Sequence, residues 1–332
     1  MTDTSYHKPV LLDEAIQYLV TDPTGVYVDG TLGGGGHSAR ILQELSGEGH
    51  LYACDQDEDA LAYAGERFQG EERMTIIRGN FGYIDTLLPK SVHGRISGML
   101  LDLGVSSYQI DVPERGFSFQ KDGPLDMRMG RLQASTASEL VNTYEYEDLR
   151  NLLYEYGEER HSGRIAREII RSRPLETTAE LRDVVASVVP DRFLNKSLAR
   201  IFQALRIAVN SELRMLKQVL EKGTALLADE GRFVVITYHS LEDRLCKNYF
   251  RAGNFEGRTV KDFYGNDIRP FTMVNKKVIS PSEKEQAENP RARSAKLRVA
   301  RKIPASGAAG ETGETGKSAS GKRSETKKGG SV

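Results

Sequence analysis

The sequence has few cysteines, no long apolar run and almost no net charge. Neither of its two cysteines, Cys54 and Cys246, has a second Cys or a His at metal-ligand spacing. We therefore expect reduced thiols in a cytoplasmic protein and no metal site. Because no run approaches the roughly 20 apolar residues of a membrane span, and because residues 1–11 lack a cationic segment followed by an apolar stretch, we expect neither a transmembrane helix nor a signal peptide.

The formal net charge of −1 argues against binding nucleic acid through overall positive charge. It leaves room for a local basic face, which is what a groove would use. Six basic residues and no acidic one occur within residues 289–304, and a second basic stretch lies near residues 192–206. Contact with RNA phosphates and an ordinary solvated surface both fit these stretches, which consist of Arg291, Arg293, Lys296, Arg298, Arg301 and Lys302, and of Arg192, Lys196, Arg200 and Arg206.

The first hundred residues alternate between strand and helix patterns. Apolar runs predict strands at residues 26–29, 51–55, 74–77 and 96–101, with helices at 38–45 and 57–68 between them. Strands that are apolar on both faces are typical of parallel sheets covered by helices. The order therefore predicts an α/β domain with a doubly wound sheet and right-handed crossovers.

Residues 111–210 show helical periodicity and no convincing strand. Two capping-box patterns begin helices there, Thr136 with Glu139 and Thr177 with Glu180. These helices predict an all-helical insertion into the α/β domain.

The α/β pattern resumes after the insertion. We predict a helix at 213–227, a strand at 232–237 and edge strands at 276–279 and 295–300. The resulting division has a first part at 1–110, the insertion at 111–210 and a second part at 211–304. Residues 305–332 are rich in Gly, Ser, Thr, Lys and Glu, and this composition predicts a disordered tail.

A glycine-rich turn, residues 30–36, follows the first predicted strand. Glycines let the backbone approach a ligand closely, and the following helix start offers free N–H groups. Asp55 ends the second strand 22 residues after Gly33, where a carboxylate suits both ribose hydroxyls of an adenosine. Asp102 ends the fourth strand, and ligands of parallel sheets bind at such strand ends.

The glycines alone leave two cofactors open. Gly34, Gly36 and Ala39 satisfy the G-x-G-x-x-A pattern of dinucleotide-binding proteins. Carboxylates at Asp29 and Asp102 would disfavour a pyrophosphate near the turn, whereas they would favour the ammonium and sulfonium groups of S-adenosylmethionine. The residues therefore favour S-adenosylmethionine over a nicotinamide dinucleotide.

A series of long motifs occurs in fixed order along the chain. The motifs are HKPVLL (7–12), DGTLGGGGHS (29–38), LDLGVSS (101–107), ERGFSF (114–119), GPLDMRM (123–129), YGEER (156–160), FQALRI (202–207), HSLEDR (239–244) and NPRARS (289–294). With these motifs the chain resembles the RsmH (MraW) family of bacterial 16S rRNA (cytosine-N4-)-methyltransferases over residues 6–303.

The resemblance implies a Rossmann-like class I S-adenosylmethionine-dependent methyltransferase sheet whose helical insertion recognises the substrate. Asp55 would hold the ribose, Phe81 would lie against the adenine, and Gln109 would bind the polar end of the cofactor. The family's cofactor contacts correspond to Gly35, Gly36, His37, Asp55, Phe81, Asp102 and Gln109. On the sequence alone, a structural role explains His37 and Phe81 about as well as a contact with the cofactor does.

The implied reaction methylates the exocyclic N4 amine of a cytidine in the decoding region of 16S rRNA, within the small ribosomal subunit. Acceptors that hold the amine hydrogens would help, and Asp102 with residues 104–107 are the candidates. The aromatic residue that stacks on the base stays open among Tyr108, Phe117 and Phe119. For His239, a structural role is favoured over that of a general base.

Two alternatives to an rRNA methyltransferase stay open at this point. One is a Rossmann-type NAD(P) oxidoreductase, since the glycine pattern alone allows it. The other is a non-enzymatic rRNA-binding assembly factor that keeps the fold. The sequence also leaves the oligomeric state open, a homodimer included.

Overall fold

The computed structural model describes residues 9–131, 133–275 and 277–304. Seven strands form one sheet in the order β3-β2-β1-β4-β5-β7-β6. The first five strands run parallel, and β7 is antiparallel to both of its neighbours. The strands are β1 (Val26–Asp29), β2 (His50–Asp55), β3 (Met74–Arg78), β4 (Ile96–Asp102), β5 (Leu227–Thr237), β6 (Phe271–Met273) and β7 (Lys296–Lys302).

Helices connect and cover the strands. In the part of the chain that the structure describes, no helix is both long and apolar enough to cross a membrane. The helices are α1 (Leu12–Leu19), α2 (Gly36–Glu44), α3 (Glu58–Arg67), α4 (Ile84–Leu87), α5 (Ser107–Asp111), α6 (Ala137–Thr143), α7 (Tyr146–Glu155), α8 (Ser162–Arg171), α9 (Thr178–Val188), α10 (Asp191–Asn210), α11 (Glu212–Leu226), α12 (Ser240–Ala252) and α13 (Glu283–Glu288).

The central strands are buried on both faces, which explains their continuous apolar sequences. Met99 and Leu101 of β4 belong to a core that includes residues of α11 and α12. Leu100, between them, faces the opposite side and joins a core that includes residues of α1 and α2. Successive side chains of a strand point to opposite faces, so one strand serves both cores. The predicted doubly wound sheet is confirmed.

Helices α6 to α10 come between β4 and β5 in the sequence. They share a core of their own, which includes Leu149, Ile165, Leu181 and Leu205. The two predicted capping boxes begin α6 and α9. The division of the chain at 110 and 210, and a recognition role for the insertion, stay predictions. The predicted disordered tail lies outside the described residues.

The C-terminal strands differ from the prediction. The edge strand is Phe271–Met273. Of the predicted strand at 276–279, residue 276 lies outside the described residues, and residues 277–279 form one bridge, between Ile279 and Leu297. The amide side chain of Asn275 explains this difference, because it accepts a hydrogen bond from Val299 N (2.8 Å) and donates to Leu297 O (3.2 Å). It thereby replaces part of the backbone ladder. The other predicted edge strand, β7, lies inside the sheet between β5 and β6.

Candidate active site

A cavity of about 270 Å³ lies at the carboxyl ends of the parallel strands. The strand order reverses between β1 and β4. Connections leave in opposite directions at such a point, so a crevice opens there, and α/β proteins use this crevice for ligands. Residues after β1, β2, β3 and β4 line the cavity, together with Arg206, Asn210 and Glu212 from α10 and α11.

The glycine-rich turn after β1 forms one wall of the cavity. Gly33 has a φ of +48°, and its N–H donates to Asp55 Oδ2 at 2.8 Å. Gly36 lines the cavity, and a Cβ there would lie 2.8 Å from the Pro9 ring. At Gly35, φ is +72° and a Cβ would lie 2.5 Å from the Phe68 ring. The close Phe68 ring explains why a glycine is needed at Gly35, and its predicted contact with the cofactor stays a prediction.

Asp55 ends β2 and is held by the backbone. Its Oδ2 accepts from Gly33 N, and its Oδ1 accepts from Asp57 N at 2.9 Å. Burial raises the pKa of Asp55 to about 6, although both backbone donors act in the opposite direction. The carboxylate thus has a fixed orientation at the cavity, with lone pairs left to accept from a ligand's hydroxyl groups.

Asp29 is not among the residues that line the cavity, so its predicted influence on a ligand would act through charge alone and stays a prediction. Its side chain is buried, with Ser38 Oγ donating to Oδ2 at 2.7 Å and Thr31 N donating to Oδ1 at 3.0 Å. These bonds tie the end of β1 to the start of α2. Asp29 therefore stabilises the turn itself.

Asp102 ends β4 and meets the side chains of Tyr238 and His37. Tyr238, directly after β5, donates its hydroxyl to Asp102 Oδ1 at 2.8 Å. His37 Nδ1 lies 3.7 Å from Asp102 Oδ2, while His37 Nε2 lies 3.1 Å from Val10 O. Burial and the neighbouring Asp102 carboxylate both raise the pKa of Tyr238 well above its usual value. Tyr238 therefore stays protonated and fixes the orientation of Asp102.

Gln109 belongs to a buried polar network rather than standing alone at the cavity. Its Oε1 accepts from Ser106 N at 3.0 Å, which completes a capping box at the start of α5. Its Nε2 donates to Asp57 Oδ2 at 2.6 Å, and Arg115 Nη1 lies 2.9 Å from the same oxygen. One Nε2 hydrogen is committed to Asp57, so the other is the donor that Gln109 has for a ligand.

Phe81 lines the cavity from the turn after β3. It packs beside the end of β1, where a Cβ on Gly30 would lie 3.3 Å from Phe81 Cβ. Asn80 holds this turn by accepting from Gly82 N at 2.9 Å. The ring thus provides an apolar surface at the cavity.

A charged cluster that the sequence analysis did not predict closes the side of the cavity formed by α10 and α11. Arg206 Nε and Nη2 lie 2.8 and 2.9 Å from the two carboxylate oxygens of Glu212. Glu242 is 2% exposed, and its Oε2 accepts from Tyr238 N at 2.9 Å. Burial opposes ionisation of Glu242, but His239 and Arg206 outweigh it and lower its pKa.

Glu212, His239 and Glu242 are also close enough together to share a metal ion. Arg206 already supplies positive charge to this group, since it forms a bidentate pair with Glu212 and lies near Glu242. We therefore assign the cluster to a guanidinium-centred network rather than to a cation site.

Comparison with known proteins identifies the family. The model of the MraW methylase family matches residues 4–303, which is most of the chain. The chain belongs to the MraW methylase family. Membership confirms the enzyme class, the Rossmann-like methyltransferase fold and S-adenosylmethionine as the cofactor. It excludes the oxidoreductase and the non-enzymatic factor.

Curated relatives match this MraW methylase over nearly their whole length. Ribosomal RNA small subunit methyltransferase H of Amoebophilus asiaticus is 48% identical over 299 residues, covering 89% of this chain and 96% of the relative. The protein of the same name from Flavobacterium johnsoniae is 48% identical over 307 residues, covering 91% and 99%. A solved O-methyltransferase from Thermotoga maritima has 11% identity and a TM-score of 0.39, covering 92% of this chain and 69% of that one.

The lining of the cavity of this MraW methylase is chemically compatible with S-adenosylmethionine. Asp55 and Asp102 place two carboxylates in its wall, and a ligand with ribose hydroxyls and positive charge complements them. Phe81, Leu103 and Met215 add apolar surface for an adenine. The turn at Gly33 brings bare backbone to the wall, so a ligand can approach it closely.

Most of the predicted cofactor residues meet at this one cavity. Tyr108 also lines it, whereas Phe117 and Phe119 pack against the core of the insertion. The latter two are therefore poor choices for stacking on a base. Arg206, from the predicted basic stretch, is inside the cavity and paired. The predicted residues that line the cavity are Gly36, His37, Asp55, Phe81, Asp102 and Gln109.

Sequence reasoning missed Tyr238 and Asn210. Tyr238 follows the strongest apolar strand directly, and the rule that strand ends carry ligand residues points to it. Asn210 ends a helix whose apolar stripe gave no reason to expect a cavity residue. Its contacts depend on residues 127–129, which are about eighty positions away in sequence.

Proposed function

We propose that this MraW methylase transfers a methyl group from S-adenosylmethionine to the exocyclic N4 amine of a cytidine in the decoding region of 16S rRNA. The observation that carries the choice of RNA is the near-full-length match to relatives named ribosomal RNA small subunit methyltransferase H. The cavity is consistent with this reaction, because the residues that we assign to the donor and to the acceptor line the same cavity. The target nucleotide rests on the family motifs.

On the donor side, we assign the ribose to Asp55 and the adenine to the face of Phe81. The fixed carboxylate of Asp55 accepts from ribose hydroxyls without reorganising, because two backbone amides already orient it. Gly36 and His37 lie at the start of α2, beside the polar end of the donor. The bound donor supplies an activated sulfonium methyl group.

On the acceptor side, Asp102 is the residue that we expect to hold the target amine. A cytosine amine is a weak nucleophile because its lone pair is delocalised into the ring. An acceptor for its hydrogens favours a pyramidal nitrogen whose lone pair points at the methyl group. Tyr238 fixes Asp102 Oδ1, and this contact limits how the carboxylate can turn toward the amine.

Positioning carries much of the rate in such a reaction, because alignment of reacting groups can supply about 7–11 kcal/mol in favourable cases. The segment from Gly104 to Tyr108 adds backbone groups, hydroxyls and one aromatic ring beside Asp102. We assign stacking on the base to Tyr108, since it lies at the cavity. Stacking of this kind contributes about 1–3 kcal/mol per base.

The proposed partner is 16S rRNA within the small ribosomal subunit, and the helical insertion is the proposed recognition element. Because that substrate is made and assembled in the cytoplasm, we expect the protein to act there. Whether it acts as a monomer or a homodimer stays a prediction for solution measurements.

Mass mapping of modified nucleosides tests the proposed function. We expect N4-methylated cytidine in 16S rRNA from cells with the protein and unmodified cytidine at the same position in cells without it. Restoring the wild-type protein should restore the modification, and an Asp102→Ala variant should not. An unchanged modification pattern after loss of the protein would overturn the proposal.

A further inference from the structure

The guanidinium of Arg115, a residue in the turn after α5, joins two separate segments of the chain. Its Nη1 lies 2.9 Å from Asp57 Oδ2 and 3.0 Å from Asp59 Oδ2, in the segment where β2 leads into α3. Its Nη2 donates to the backbone carbonyls of Arg128 and Met129, at 3.0 and 3.1 Å. One side chain therefore ties part of the predicted insertion to the segment that follows β2.

Two of the sequence motifs meet at this guanidinium. Arg115 is the arginine of ERGFSF (114–119), and the two carbonyls belong to the last two residues of GPLDMRM (123–129). Met127, in the second motif, donates its backbone N–H to Arg115 O at 3.0 Å. The two motifs are therefore joined through both the backbone and the side chain of Arg115.

The guanidinium is mostly buried and stays charged. The side chains of Arg115 and Asp57 are 17% and 5% exposed. Burial acts against the charge of Arg115, but Asp57 and Asp59 outweigh it and raise the pKa of Arg115. Asp57 is among the described residues that line the cavity, whereas Arg115 is not. Arg115 therefore acts on a ligand there through its partners.

Asp57 connects Arg115 to Gln109. Its Oδ2 accepts from Gln109 Nε2 at 2.6 Å, and Arg115 Nη1 contacts the same oxygen. The other end of the Gln109 amide is held separately, because its Oε1 accepts from Ser106 N at 3.0 Å. The position of Asp57 therefore sets the direction of the second Nε2 hydrogen, which is the one that Gln109 has for a ligand.

We propose that Arg115 is a positioning residue for S-adenosylmethionine: it holds Asp57, and Asp57 directs the second Gln109 hydrogen at the polar end of the cofactor. The inference rests on the predicted contact between Gln109 and the cofactor, and it does not depend on the RNA target. Without the guanidinium, Asp57 would keep two donors, Gln109 Nε2 and Asp59 N, and no cation would compensate its buried charge. The carboxylate would then turn toward water, and the Gln109 amide would move with it.

A double-mutant cycle measured by calorimetry tests the proposal, with S-adenosylhomocysteine as the ligand. Arg115→Met keeps an extended apolar side chain and removes the charge and every donor. It should raise the Kd about tenfold, which corresponds to the loss of one hydrogen bond. Gln109→Ala should raise the Kd by a similar factor. If Arg115 acts through Gln109, the double variant should bind no more weakly than Gln109→Ala, whereas independent effects would multiply to about 100-fold.

Arg73→Met is the matched control. Arg73 also joins a carboxylate, Glu71 at 2.7 Å, to two backbone carbonyls, those of Leu42 at 3.1 Å and Leu45 at 2.9 Å. It is not among the residues that line the cavity, so Arg73→Met should lower the Tm and leave the Kd unchanged. Should Arg115→Met not fold, Arg115→Lys enters the same cycle. It keeps the charge with fewer donors and should raise the Kd about threefold.

Equal Kd values for the wild type and the Arg115 variants, or an equal rise in Arg73→Met, would overturn the proposal. A double variant that binds about 100-fold more weakly than wild type would overturn it too. An unchanged Kd in Gln109→Ala would overturn it together with the cofactor contact of Gln109. Calorimetry involves no RNA, so the proposed function fails separately: mass mapping can find N4-methylated cytidine while the cycle fails, and the cycle can succeed while mass mapping finds none.

Discussion

At the scale of single residues, the Asp55 carboxylate has a fixed position, and its burial disfavours the ionised form. Two backbone amides hold it, while burial raises its pKa to about 6. A ligand that donates two hydroxyl groups would favour the ionised form. The site is therefore arranged so that cofactor binding satisfies a carboxylate that is otherwise strained by desolvation.

Replacing Asp55 with alanine should weaken cofactor binding strongly and leave the fold intact. Hydrogen bonds to a charged group contribute about 1.5–3 kcal/mol each, so losing two should raise the Kd for S-adenosylhomocysteine at least roughly 100-fold. Calorimetry measures the Kd and circular dichroism checks the fold. The control is Asp13→Ala, whose side chain is 88% exposed. Unchanged affinity in Asp55→Ala would contradict the ribose assignment.

Cofactor affinity should fall at acidic pH. With a pKa of about 6, Asp55 is mostly ionised at pH 7 and mostly protonated at pH 5, so affinity should drop about tenfold between them. The folding stability of the free protein should change with pH in the opposite direction. Because the pKa of Asp55 is higher in the folded protein than in the unfolded chain, Asp55 stabilises the fold at pH values below its unfolded pKa, and this stabilisation is lost as the pH rises toward 6. Asp55→Asn should bind weakly with no such pH dependence, and a retained dependence would implicate another group.

Tyr238 should act as a positioning residue. In Tyr238→Phe the ring is kept and the hydrogen bond to Asp102 Oδ1 is lost. We expect kcat for methyl transfer to fall about tenfold, with the Kd for the cofactor changed little. Tyr249→Phe is a suitable control, since that hydroxyl contacts Thr224 on a helix face away from the cavity. Equal kcat values for wild type and Tyr238→Phe would argue against the role.

At the scale of elements, sequence patterns predicted the parallel strands and their helices well. Strands such as β1 and β4 are buried on both faces, and this burial requires apolar residues at successive positions along each strand. The capping boxes of α6 and α9 are equally local. Patterns of this kind depend only on residues that are close in sequence, so these strands and helices could be predicted without knowledge of tertiary contacts.

The elements that the sequence did not predict depend on distant partners. β6 has three residues and exists because β7 offers it a paired edge. The place of Asn275 in the ladder follows from contacts with Leu297 and Val299, more than twenty positions away. At the site, Gly35 packs against the Phe68 ring and Asp29 stabilises the turn, and these contacts too join residues distant in sequence. The predicted roles of both residues toward the cofactor stay predictions.

Asn210 should be a stability determinant for the junction between the insertion and the cavity. Its amide donates to Met127 O at 2.8 Å and accepts from Met129 N at 2.8 Å. Asn210→Ala would leave buried backbone groups unsatisfied, so we expect unfolding to become easier by about 2–4 kcal/mol. Urea denaturation measures this, with exposed Asn151→Ala as the control. A change no larger than in the control would contradict the role.

At the scale of the whole molecule, the sheet and the helical insertion meet at one site. The sheet provides the strand ends that we assign to the cofactor, and α10 and α11 provide Arg206, Asn210 and Glu212 in the lining of the same cavity. A shared cavity of this kind holds reacting groups in line. The helical insertion therefore contributes directly to the cavity, in addition to its proposed contacts with RNA.

A crystal structure of the protein with S-adenosylhomocysteine tests the central claim most directly. We predict the ligand in the cavity between β1 and β4, with both ribose hydroxyls within 2.6–3.2 Å of the Asp55 carboxylate, a range typical of hydrogen bonds. The adenine should lie against Phe81, and the sulfur should point toward Asp102. A ligand bound elsewhere, or a cavity filled by side chains, would contradict the account.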